Sequence, residues 1–149
     1  MRLRSFHPTD LSTLYEIDHA CFPPGIAYTR AELAAFVGHP KSRTWVAEDE
    51  ATGTIAGFLI ATREPRKILH IVTIDVLGSW RRSRVGSKLM DAAEDWAWSN
   101  RLRLVGLETA EDNLVAQHFY EKRGYAKVSK VEGYYPNGLA AWVMVKELP

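Results

Sequence analysis

Ile74-Asp75-Val76-Leu77-Gly78-Ser79-Trp80-Arg81-Arg82-Ser83-Arg84-Val85-Gly86-Ser87-Lys88-Leu89 decides how this chain folds. The β-branched run from Ile68 through Val76 passes into a short basic loop, and that loop opens a helix. Over residues 84–101 the apolar positions Val85, Leu89, Ala92, Ala93, Trp96 and Ala97 recur at helical spacing. The first turn of a helix presents unpaired backbone N–H groups and the positive end of its dipole, which together suit a phosphate. Gly86 and Ser87 lack bulk, so an anion can approach the backbone. Arg81, Arg82 and Arg84 add a local positive field that the formal net charge of +1 conceals. The stretch has neither the Gly-x-x-x-x-Gly-Lys-Ser/Thr pattern of a nucleotide phosphate loop nor the three glycines of a dinucleotide fold. By itself it also reads as a solvated basic helix start with a packing glycine.

Upstream lie two more strand-like runs, Thr44–Glu48 and Thr54–Ala61, with turns at 49–53 and 63–66, so residues 44–76 read as an antiparallel meander. Before them, Leu11, Leu14, Tyr15, Ile17 and Asp18 give a helix to about Cys21, with Thr9 or Asp10 as its N-cap. Pro23-Pro24-Gly25 breaks it. Thr29 with Glu32 forms a capping box for a second short helix carrying Leu33, Phe36 and Val37. Downstream, Leu102–Leu107 reads as a buried strand and Asn113–Lys122 as a helix. Tyr125–Val131 and Ala141–Val145 read as strands around a turn at Tyr134-Tyr135-Pro136-Asn137-Gly138. Strands and helices interleaved in this way give an α/β (α+β) chain, and 149 residues suit a single domain spanning 1–149.

Composition is that of a globular protein, 46% hydrophobic and 25% charged, with no run near the ~20 apolar residues of a membrane span. The charged start Met1-Arg2-Leu3-Arg4 does not read as a signal peptide, so a cytoplasmic protein with no membrane partner is expected. Near-neutral net charge argues against nucleic acid as a partner. One cysteine, Cys21, allows no internal disulfide and reads as a small buried hydrophobe. His7, His19, His39, His70 and His118 share no metal-ligand spacing, and no metal is expected.

A second informative stretch is Leu107-Glu108-Thr109, then Asn113, then Ala116-Gln117-His118-Phe119-Tyr120-Glu121-Lys122-Arg123-Gly124-Tyr125, with Tyr134-Tyr135-Pro136 near the end. Taken with Arg81 to Gly86, these blocks resemble the GNAT superfamily of N-acetyltransferases over almost the whole chain. Within it they are most similar to the RimI-like enzymes that acetylate the N-terminal amine of a ribosomal protein. The resemblance implies a mixed, mostly antiparallel seven-stranded sheet, splayed between its fourth and fifth strands and flanked by about four helices. It implies acetyl-coenzyme A as cosubstrate. The backbone of Ile74, Asp75 and Val76 would align the acetyl-pantetheine arm, Arg81 and the amides of Arg82, Ser83, Arg84, Val85, Gly86 and Ser87 would hold the pyrophosphate, and Asn113 would bond the pantetheine. Arg84 stands where the family has its first phosphate-loop glycine. A position requiring positive φ would strain an arginine, whereas a first helical turn would accept it and let it pair with phosphate; the second is expected.

The family uses a Glu as base and a Tyr as acid, and Glu108 and Tyr120 match those positions. Their chemistry fits, because acetyl transfer to an amine needs a neutral nucleophile and a proton for the departing thiolate. Glu108 is expected at the end of an apolar strand, where partial desolvation raises a carboxyl pKa. The plainer readings are an exposed strand-end carboxylate for Glu108 and a core aromatic for Tyr120. Tyr134 and Tyr135, faced by Phe22 and Pro23, would wall the acceptor groove. The acceptor is a protein N-terminus or a small amine, with direct attack in a ternary complex and the enzyme a monomer or homodimer. A non-catalytic acyl-coenzyme A binding protein is the reading from another class.

Overall fold

The computed structural model describes residues 1–149. Seven strands form one sheet, β1 (Arg2–Ser5), β2 (Ser42–Glu48), β3 (Ile55–Glu64), β4 (Ile68–Val76), β5 (Leu104–Ala110), β6 (Ala126–Val131) and β7 (Ala141–Glu147), in the order β1-β2-β3-β4-β5-β7-β6. Four helices flank it: α1 (Leu11–Cys21), α2 (Arg30–Gly38), α3 (Val85–Ser99) and α4 (Leu114–Lys122). All neighbouring strands run antiparallel except β4 and β5, which are parallel. The expected sheet and meander are therefore present. The strand β1 is not legible as a strand: at four residues it is too short for a pattern, and its pairing with Val46 and Trp45 of β2 holds it.

Alternation along β2 and β3 divides the core. Leu59 and Ala61 join Leu89, Met90, Ala93 and Ala97 of α3 on one face, whereas Val46, Phe58 and Ile60 join Leu14, Ile17 and Leu33 of α1 and α2 on the other. The α2 cap forms as its sequence dictates, with Thr29 Oγ1 accepting from the Glu32 N–H at 3.1 Å and Glu32 Oε1 accepting from the Thr29 N–H at 2.9 Å. At the start of α1, Asp10 caps no helical amide through its side chain; it accepts from the His7 N–H at 2.8 Å and from the Arg4 guanidinium. The far end of α4 is fixed by Glu94 of α3, which accepts from the Tyr125 hydroxyl and Lys146 Nζ, both at 2.8 Å, and from Arg123 at 3.2 Å.

Two features open the middle of the sheet. The strands β4 and β5 pair only through Ile68 with Leu104, Leu69 with Val105 and His70 with Gly106, and they part beyond that. On the other side of β4, Ile60 faces Thr73 while Ala61 faces Ile71, so Val72 is an extra residue, a β-bulge that bends the strand and increases its twist. Close approach of β3 to the end of β4 depends on Gly57, where a Cβ would run into the Asp75 carbonyl oxygen.

Candidate active site in the strand splay

Glu108 stands in the opening between β4 and β5. It does not end its strand as the sequence suggested: β5 continues to Ala110, and Glu108 is registered with Val143. Strand alternation sends Leu107 into the core and turns Glu108 to the opposite face. Its Oε1 accepts from the Tyr134 hydroxyl at 3.2 Å and lies 2.7 Å from His70 Nε2. Its Oε2 has no protein partner, and the side chain is 20% exposed. On its other edge His70 places Nδ1 3.4 Å from Glu64. Burial pushes the imidazole pKa down, but the bond to Glu108 and the charges of Glu108 and Glu64 more than reverse this, so His70 titrates above its ordinary value. An imidazolium there donates to Glu108.

The aromatic wall consists of Tyr134, Tyr135 and Tyr28. Tyr134 and Tyr135 meet edge to face, with ring centroids 4.9 Å apart. Burial, then the Glu108 charge, pushes the Tyr134 phenol up to about 12. Tyr28 rests its hydroxyl on the carbonyl of the bulged Val72 at 3.4 Å, and burial holds its pKa well above the ordinary phenol value. Phe22 caps the end of α1 through its N–H to the Asp18 carbonyl, and the Pro23 carbonyl closes a turn on Ile26 and Ala27. The α1–α2 loop and the β6–β7 loop touch at Gly25 and Asn137, where a Cβ on Gly25 would lie 2.7 Å from the Asn137 Cβ; the φ of +89° there also favours glycine.

Tyr120 is only 7% exposed and packs against Phe119 and Tyr125. Burial, then the nearby Asp75, holds its phenol well above the ordinary range. Asp75 turns its own side chain inward, so only its backbone can face a cofactor. Its Oδ1 accepts from the Thr73 hydroxyl at 2.5 Å, while Asp18 Oδ2 accepts from the Tyr28 N–H at 2.7 Å. The remaining oxygens, Asp18 Oδ1 and Asp75 Oδ2, are buried without a donor. Burial first and Asp18 second push Asp75 well above the usual carboxylate range. Out of water and beside a second carboxyl, Asp75 favours its protonated form.

The basic loop differs from expectation at Arg84. It is the N-cap residue of α3 at φ +65°, ψ 17°, not a residue of the first helical turn, and Arg82 has φ +70°. An L-residue with a Cβ costs roughly 1–2 kcal/mol in this region, because the Cβ crowds the following carbonyl. The left-handed residues turn successive amides to one side, a concavity suited to an anion. No side chain caps α3, in contrast to α2 and α4. Arg81 Nε donates to the Val76 carbonyl at 3.1 Å, and the half-buried Cys21 thiol donates to the same oxygen at 3.4 Å. The Ser83 hydroxyl donates to the Trp80 carbonyl. Val85 is buried in the core. A Cβ at Gly86 would lie 3.4 Å from Phe119 and 3.8 Å from Val76, ordinary contact distances that do not by themselves require glycine, and Ser87 follows it in the first turn. Asn113 caps α4, its Oδ1 accepting from the Ala116 N–H at 3.2 Å.

A long helix with an uncapped, basic start, beside a strand edge that no neighbouring strand covers, has the chemistry that suits a phosphate-bearing ligand with an extended arm. The Acetyltransferase (GNAT) family matches residues 11–125. The chain belongs to this family. Over its whole length it is 25% identical to an uncharacterized N-acetyltransferase of Methanocaldococcus jannaschii, covering 93% of that protein. It is 26% identical to an N-alpha-acetyltransferase of Sulfurisphaera tokodaii, with 99% of this chain and 93% of that protein covered. The solved ribosomal-protein-S18-alanine N-acetyltransferase of Escherichia coli has the same fold at a TM-score of 0.86, with 20% identity over 98% of this chain and 92% of that one. The GNAT chain described here is thus an acetyl-coenzyme A-dependent N-acetyltransferase. No group of three or more His, Cys, Asp or Glu side chains is arranged to hold a metal ion.

Reading the sequence missed three participants in this GNAT site: His70, Tyr28 and the partner of Asp75, Asp18. None carries a local signal. His70 and Glu108 are 38 residues apart and meet only because the fourth and fifth strands are parallel neighbours.

Proposed function

We propose that the protein acetylates the N-terminal amine of a polypeptide, with Glu108 as base and Tyr120 as acid. The observation that carries the reading is the state of the Glu108 carboxylate: His70 and Tyr134 hold one oxygen, and the other is free in the splay. An N-terminal amine has a pKa near ~8 and is largely protonated at neutral pH. Glu108 Oε2 takes the proton that the amine loses, directly or through a water. Bound acetyl-coenzyme A supplies an activated thioester carbonyl, and the acetyl group passes from sulfur to nitrogen. The raised pKa of Tyr120 keeps it protonated, so it serves first as a hydrogen-bond donor to the sulfur and gives up its proton as negative charge develops there. The amides of the Arg82–Ser87 loop hold the pyrophosphate, and the part of the β4 edge around Ile74, between the occupied Val72 and Val76 carbonyls, aligns the arm. Tyr28, Tyr134 and Tyr135 supply a wall against which an extended peptide lies. The whole-length likeness to an N-alpha-acetyltransferase supports the choice of acceptor.

The test is mass-spectrometric acetylation of a panel of peptides with free N-termini. Glu108→Gln keeps the shape of the site and should lower kcat/KM by about 10²–10⁴ with the melting temperature unchanged. Undiminished activity in that variant overturns the assignment of the base. A small amine is the second reading, favoured by the contact of Gly25 with Asn137, which bridges the groove. Acetylation of free metabolite amines in preference to every peptide would select it.

A further inference from the structure

Five non-glycine residues have positive φ, and all five are basic: Arg66, Lys67, Arg82, Arg84 and Arg101. Glycine or asparagine is the usual occupant of such positions. Arg82 and Arg84 belong to the phosphate loop described above. The other three lie at the opposite end of β4, where the sheet begins its parallel pair.

More positive charge collects at that end. Lys41 and Arg43 open β2, and Arg63 lies near the end of β3. Arg66 and Lys67 form the turn into β4, and Arg101 and Arg103 lead into β5. Backbone bonds hold these segments together, from the Arg63 N–H to the Lys41 carbonyl at 2.9 Å and from the Arg103 N–H to the Lys67 carbonyl at 2.7 Å. Lys41, Arg63 and Lys67 border a cleft of about 380 Å³ that Pro40, Pro65 and Leu102 help to line. All seven side chains belong to exposed residues, and none lies within 4.0 Å of a carboxylate. The ion pairs of the molecule use other cations: Arg2, Arg4, His70, Arg123, Lys130, Lys146 and the N-terminus. Nearby acidic groups are Glu64, already engaged with His70, and Glu147, registered with Leu104. Seven of the 19 lysines and arginines thus stand without an ion pair at one end of a chain whose net charge is only +1. The whole-chain balance that argued against nucleic acid averages this concentration away.

Aromatic surface accompanies the charge. Arg43 and Arg63 stack over Trp96, each 5.6 Å from its ring centroid, which orders the guanidinium groups without neutralising them. Trp98, 56% exposed at the end of α3, accepts the Arg101 N–H at its carbonyl. Guanidinium forks bind phosphate, and exposed aromatic faces stack on bases.

We propose that this basic end of the sheet, Lys41, Arg43, Arg63, Arg66, Lys67, Arg101 and Arg103 with Trp98, is a docking surface for single-stranded or looped RNA, independent of which amine the acetyl-transfer site takes. Five of its seven cations are arginine, the side chain that combines phosphate binding with stacking. A lipid surface fits less well, since Trp98 lacks the flanking apolar residues that insert into an interface.

The probe is a fluorescently labelled single-stranded RNA, titrated with the full chain and followed by anisotropy. Engagement of about four phosphates predicts a roughly 50-fold loss of affinity between about 50 and 200 mM salt. Charge reversal at Arg66, Lys67 and Arg101 should abolish binding while acetyltransferase turnover and the circular dichroism spectrum stay unchanged. The neutral variant Arg66→Gln with Arg101→Gln should weaken it at least tenfold, and Trp98→Ala about fivefold or more. The proposal is overturned if the RNA does not bind, if reversal of Arg81 and Arg82 removes binding while the three-site reversal leaves it intact, or if polyglutamate or phosphatidylserine vesicles bind the same end more tightly than RNA does.

Discussion

Asp75 lies beside Asp18 in a place where neither carboxyl can reach water, and the consequence of its protonation for stability has a definite sign. The folded protein holds that proton well above the 3.8 of a free aspartate. Its contribution to stability is therefore complete below the unfolded pKa, and it is lost as pH rises through the raised folded value. Asp75→Asn replaces the O–H donor with an amide N–H that cannot titrate. Urea denaturation across pH should show the variant gaining on the parent protein from the ordinary carboxylate range upward. Parallel stability curves would rule out a protonated Asp75 in the folded protein. At this same scale, Glu108 and Tyr120 were legible in the sequence because a motif surrounds each. His70, Tyr28 and Asp18 were not, since each acts through a residue distant in the chain: Glu108, Val72 and Asp75 respectively.

At the scale of the element, α3 carries the sharpest departure from expectation. The sequence places an arginine where the family's pattern has glycine, and a helical first turn would have accommodated it. The backbone instead keeps the left-handed conformation that glycine favours, with Arg84 in it. Arg84→Gly should therefore stabilise the fold by roughly 1 kcal/mol, and no more than 2, measured by chemical denaturation. A loss of stability would mean that the side chain makes a compensating contact. The capping box of α2 and the exact span of β4, Ile68–Val76, were readable because local residues dictate them. The continuation of β5 past Glu108 was not, because pairing of Thr109 with Trp142 and of Ala110 with Ala141 of β7 extends it.

Across the whole molecule, the splay between β4 and β5 links the loop at the start of α3 to Glu108 and the tyrosine wall. A ligand that spans loop and splay binds only the folded chain, so it must raise the melting temperature. Coenzyme A at about 100 times its Kd adds about 2.7 kcal/mol, or roughly 5–10 °C for a domain of this size. Absence of any shift at millimolar coenzyme A would remove the cofactor site from the Arg82–Ser87 loop.

The sequence by itself determined the order and kind of most elements, because hydrophobic period, caps and breakers act within a few residues. It also marked the candidate phosphate loop and the two side chains proposed as base and acid, because GNAT motifs are contiguous. Tertiary structure alone decided the short β1 strand, the bulge at Val72, the left-handed state of Arg84, the orientation of Glu108 between His70 and Tyr134, and the concentration of unpaired cations at one end of the sheet. Each of these depends on strands brought together from distant parts of the chain, where the energy lies in pairing and burial that no local pattern records.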